Sequence, residues 1–99
     1  MPVVNVYSIF DTKARAYMQP WYATNHDVAF RNCRASMTQP QSPMAQFPVD
    51  FNLFCLGQFD ELTGEFHQNG EHMNLGNFSQ FVPEENTPPL PLATTNGQA

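Results

Sequence analysis

All four cations of this 99-residue chain fall in one window, interleaved with aromatic rings: Lys13, Arg15, Tyr17, Trp21, Tyr22, Arg31 and Arg34. Cations that follow a phosphate backbone and rings that stack on bases are what binding of single-stranded nucleic acid requires. The same rings have a second use, since aromatic side chains bury large apolar areas in cores and at oligomer interfaces. On the residue types alone the window is therefore either a nucleic-acid surface or part of a core or a homo-oligomer contact.

Other constellations carry less. His26, His67 and His72 share no metal-ligand spacing, although His67 and His72 flank the turn dipeptide Asn69-Gly70 and are able to approach one another. Asp60, Glu61 and Glu65 group around a turn, where solvated carboxylates are the ordinary outcome. Ser8 has no nucleophile-elbow context, and no glycine-rich phosphate loop is present. The chain is expected to be no enzyme and to need no cofactor or metal. Cys33 and Cys55 have no partner cysteine at CxxC spacing and sit among apolar residues, as free thiols of a reducing compartment do, a disulfide between them being the alternative.

Composition narrows the setting. Charged residues make up 13% of the chain, about half the usual share, so Asn, Gln, Ser and Thr carry solubility. Residues 1–46 hold four cations against Asp11 and Asp27, a net of +2. Residues 47–99 hold seven acids and no Lys or Arg, a net of −7. Such asymmetry fits a two-faced surface. The N-terminus has no basic leader and no long apolar run, so a cytoplasmic protein without membrane contact is expected.

These residues need a frame, and the stretch Phe51–Phe66 supplies its centre. Its Phe- and Leu-rich run, followed by Asp60-Glu61-Leu62-Thr63-Gly64, predicts a β-hairpin. Asp60 can accept backbone amides of the turn, and Gly64 can take a positive φ. Strands are predicted over Val3–Phe10, Trp21–Ala23, Asn52–Phe59 and Glu65–Gln68. The first is apolar on both faces, as a central strand is. Trp21–Ala23 follows Pro20 and suits an edge. Thr12–Pro20 is expected to be a loop or single turn.

Thr24 or Asn25 can cap a helix over Asp27–Thr38, with Ala29, Phe30, Cys33 and Met37 as its apolar stripe and Asp27–Arg31 as an i,i+4 pair. The chain from Gln39 to Pro48 is expected to be irregular. Glu71–Leu75 can add a short strand, and Asn77–Val82 is apolar enough to dock. The fold class is α+β: a small antiparallel sheet with one helix on a face. One domain is expected over residues 1–82. From Pro83 onward the proline-rich sequence predicts a disordered or polyproline II tail.

The pieces Ile9-Phe10-Asp11, Lys13-Ala14, Tyr17, Pro20-Trp21-Tyr22, Ala29, Arg31, Pro48-Val49-Asp50-Phe51, Leu53-Phe54, Leu56-Gly57, Phe59-Asp60, Thr63-Gly64 and Phe66 resemble a known family. It is the small nonstructural protein of gokushovirus-type microviruses, phages with circular single-stranded DNA genomes. The likeness runs from about Val4 to Val82, and Trp21 stands where the family has Phe. The resemblance implies a viral protein of the host bacterial cytoplasm with no catalytic residues. It also implies a DNA-binding role in replication or genome packaging. The alternative is a non-catalytic factor that contacts a capsid, replication or host protein.

Overall fold

In the computed structural model, residues 3–68 and 70–82 are described. Strand β1 (Val3–Asp11) turns into the short β2 (Ala16–Tyr17) and then β3 (Trp21–Ala23). Helix α1 (His26–Met37), a short α2 (Pro43–Gln46) and a 3-10 turn at Pro48–Asp50 lead into β4 (Phe51–Asp60). The chain continues through β5 (Phe66–His67) and β6 (Met73–Asn77) to a second 3-10 turn at Phe78–Gln80. The class is α+β, as the sequence predicts.

The six strands form one antiparallel sheet with four rows. At its centre β1 pairs with β4 along its whole length, from Val3 opposite Asp60 to Asp11 opposite Phe51. β2 and β3 share the outer side of β1, and β5 and β6 share the outer side of β4. Each outer row is therefore one strand broken in two. Near Pro20 the break is held by Ser8, whose buried hydroxyl donates to the Met18 carbonyl at 2.6 Å, while the Met18 amide donates to Ile9 at 2.8 Å. Short, interrupted edges of this kind offer little template for further strand pairing. The pairing of Ala16–Tyr17 with Asp11 and Phe10 corrects the expectation of a loop there: these two residues are too few to carry a strand pattern, but the hairpin return presents them to the free edge of β1.

One face of the sheet is closed by α1. The helix starts where Asn25 accepts the Val28 amide with its side-chain oxygen at 2.9 Å, which settles the capping residue. Ala29, Cys33 and Met37 point inward and meet Tyr7, Ile9, Ala23, Phe51 and Leu53 of the sheet. Phe78 and Phe81 complete this core, so the segment after β6 docks through its two rings. Asp27 and Arg31 form no ion pair, contrary to the expected i,i+4 contact; both are exposed, where such a pair gains little over hydration. The stretch before β4 is more ordered than expected. Ser42 caps α2, and Met44 buries its side chain against the core.

Asn77 ties the two 3-10 turns together. Its amide nitrogen donates to the carbonyls of Val49 and Phe51 at 2.9 and 3.1 Å, and its oxygen accepts the Ser79 amide at 3.0 Å. The Asn69-Gly70 turn is half visible: Gly70 has a φ of +72°, and Asn69 lies outside the described residues. The proline-rich segment 83–99 also lies outside them.

Candidate functional site: the open face of the sheet

Strand alternation sends every second side chain away from α1. On β1 these are Val4, Val6, Ser8 and Phe10, because Tyr7 and Ile9 enter the core. Their cross-strand neighbours follow: Tyr17 lies opposite Phe10, Tyr22 opposite Val6, Phe54 opposite Ser8 and Phe59 opposite Val4. Phe66 extends the row beyond Phe59. No helix covers this face among the described residues.

The rings fall into two groups. The first joins Phe10, Tyr17, Phe54 and His72. Tyr17 lies 4.7 Å from Phe10, 5.6 Å from Phe54 and 5.5 Å from His72, centroid to centroid, and the Tyr17 hydroxyl is 3.3 Å from His72 Nδ1. The second joins Tyr22 and Phe59 at 5.6 Å, with Phe66 next in register. Val6 and Ser8, between the groups, are closed to solvent. Tyr17, Tyr22 and Phe66 remain 43%, 56% and 53% exposed, an unusual share for rings that a core would claim.

Charge distinguishes the ends. The first group lies beside the β1–β2 turn, which carries Lys13 and Arg15. The second lies beside the β4–β5 turn, which carries Asp60, Glu61 and Glu65. Because β1 and β4 run antiparallel, these turns stand at opposite ends of the central ribbon.

The structure thus divides the sequence-predicted window. Lys13, Arg15, Tyr17 and Tyr22 belong to the open face or its margin. Trp21 points the other way: its ring packs on Tyr7 at 5.9 Å, and its indole N–H donates to Asn32 Oδ1 at 3.0 Å. There it lines a groove of about 220 Å³ with Ile9, Asn32, Cys33 and Ser36. Arg31 and Arg34 are exposed on α1, so the sheet separates them from Tyr17 and Tyr22. Sequence reading missed Phe54, Phe59, Phe66 and His72 as members of the aromatic surface. Their signal was the period-2 alternation of Phe54 against Leu53, which places that ring opposite the core.

The covered face has its own polar chemistry. The Tyr7 hydroxyl accepts from Asn5 Nδ2 at 3.0 Å and lies 2.7 Å from His26 Nδ1. Burial raises the Tyr7 pKa above its ordinary 10.0, against the opposing hydrogen bond from Asn5. Burial pushes the Cys33 thiol up to about 12, so it is held as an unreactive thiol. Cys33 and Cys55 are both free. His67 meets Glu65 at 3.3 Å rather than His72, and no group of three metal-ligating side chains forms among the described residues. No helix among the described residues is long and apolar enough to cross a membrane.

Fold and surface together define a small α+β protein whose sheet has one helix-covered face and one aromatic, solvent-facing side. The family described as Phage ORF5 protein matches residues 4–81, most of the chain, and the chain belongs to that family. It is a phage protein. Comparison with curated proteins found no match, and neither did comparison with solved structures.

Proposed function

We propose that this phage protein binds single-stranded DNA across the open face of its sheet, in the replication or packaging of a small microvirus-type genome. The observation that carries the reading is the row of exposed rings on a face that no helix covers among the described residues, with Lys13 and Arg15 at one end of it. Stacking of a base on an aromatic side chain is worth about 1–3 kcal/mol and tolerates any base. Tyr17, Tyr22 and Phe66 offer three such platforms. Two cations add a modest electrostatic term, and the net charge of −5 works against it. Stacking therefore dominates affinity, and the dependence on salt is shallow.

The test is fluorescence anisotropy of a labelled oligothymidylate at two salt concentrations. Binding that persists at moderate salt and falls on Tyr17→Ala/Tyr22→Ala supports the reading. Absence of binding at low salt refutes it.

A second reading has its own observation. Beside the acidic β4–β5 turn, Tyr22, Leu62 and Phe66 are exposed at 56%, 81% and 53%. An apolar patch beside acidic side chains suits a protein partner with cations, whether another copy of the chain or a viral or host protein. Association that is unaffected by single-stranded DNA and lost on Leu62→Ala/Phe66→Ala would favour this role.

A further inference from the structure

The two hairpin turns at opposite ends of the ribbon have the same backbone. Each opens on an aspartate, Asp11 in one and Asp60 in the other. The Asp11 carboxylate accepts the amides of Lys13 and Ala14 at 2.9 and 3.1 Å. The Asp60 carboxylate accepts those of Leu62 and Thr63 at 2.8 and 3.2 Å. The carbonyl of each aspartate then accepts the amide four residues on, Arg15 and Gly64, both at 2.7 Å. That fourth residue is left-handed in both turns, with φ of +59° at Arg15 and +80° at Gly64.

Glycine is the residue this position favours, because a Cβ there crowds the following carbonyl. The acidic turn has glycine. The basic turn has arginine, the only non-glycine residue with positive φ among the described residues. Nothing among the described residues accounts for the choice. Arg15 is exposed, and its guanidinium forms no hydrogen bond or ion pair among the described residues. The turn itself is anchored independently of that side chain, through Thr12, whose amide and hydroxyl both donate to the Asp50 carbonyl at 2.9 Å. A strained residue without a structural partner among the described residues, beside a second cation and an aromatic cluster, points to a ligand.

We propose that the β1–β2 turn is a phosphodiester-binding subsite, in which the Arg15 guanidinium and the Lys13 ammonium hold a phosphate of a single strand whose adjacent base stacks on Tyr17. The proposal rests on the reading of the open face as a DNA surface, and it gives that surface a direction. The strand is anchored at the basic turn and kept off the acidic one. A guanidinium presents paired donors to phosphate oxygens.

The experiment uses the full chain with Arg15→Gly, Arg15→Lys and, as a strain control, Gly64→Arg. Melting temperature and anisotropy with labelled oligothymidylate over a salt series are measured for each. Arg15→Gly is expected to melt at the same temperature or higher while the slope of log affinity against log salt falls by about 0.7, the release from one phosphate contact on a single strand. Arg15→Lys is expected to keep the wild-type slope, and Gly64→Arg to melt lower. A lower melting temperature for Arg15→Gly makes Arg15 structural and overturns the subsite. A wild-type slope in Arg15→Gly, with wild-type binding intact, overturns the subsite and leaves the open-face reading standing. Absence of wild-type binding at low salt removes the open-face reading, and the subsite with it.

Discussion

The two faces of the sheet draw on the same kinds of residue and do different things with them. The covered face holds Tyr7, Phe51, Leu53 and Trp21, and these side chains are matched by α1 and by Phe78 and Phe81. The open face holds Phe10, Tyr17, Tyr22, Phe54, Phe59 and Phe66, and nothing among the described residues is laid over them. Tyr7 and Tyr22 show the difference most clearly. They sit one residue apart in register on neighbouring strands, yet Tyr7 is 0% exposed with its hydroxyl hydrogen-bonded, and Tyr22 is 56% exposed. Aromatic content therefore reports the function of a residue in this chain only through the side of the sheet it occupies.

Substitutions break that comparison in order of size. Leu53→Ala, on the covered face, is expected to cost about 2–5 kcal/mol of stability in urea denaturation, through lost burial and the cavity left behind. Alkaline pH probes the same face. Cys33 keeps its proton in the folded state up to about pH 12 and loses it from about 9.0 when unfolded. Between those values the folded state binds more protons than the unfolded, so stability is fully present below that window and declines as pH rises through it. The decline is up to about 1.4 kcal/mol per pH unit. Tyr7 acts in the same direction above 10.0. Cys33→Ala should flatten the part below pH 10 in a series of urea melts.

Asn77→Ala removes the donor shared by the Val49 and Phe51 carbonyls and should cost about 1–3 kcal/mol, read from the thermal midpoint. On the open face the effect on stability shrinks. Tyr22→Ala and Phe66→Ala should each change it by less than about 1 kcal/mol, since both rings are more than half exposed. A loss comparable to that of Leu53→Ala would mean that the open face is a second core.

The sequence showed the frame well where period and turn chemistry agree. The alternation in β1 and β4, the Asp60–Gly64 turn and the α1 stripe each place their elements within a residue or two of the structure. It showed β2 poorly because two residues carry no pattern and exist as a strand only through the edge of β1. The candidate site was half legible. Lys13, Arg15, Tyr17 and Tyr22 do share a side or its margin. Arg31, Arg34 and Trp21 were grouped with them because they are near in sequence, whereas the sheet passes between them. Trp21 and Tyr22, adjacent in β3, necessarily point to opposite faces. The left-handed Arg15 has no sequence signature, and only comparison of its turn with that of Gly64 reveals it.

The central claim is that the open face, and not the helix side, meets single-stranded DNA. Amide chemical-shift mapping during titration with a short oligothymidylate tests it most directly. The account predicts shifts concentrated at Lys13, Arg15, Tyr17, Tyr22, Phe54 and His72, with α1 unmoved. Shifts centred on Arg31 and Arg34, or none anywhere at low salt, would contradict it.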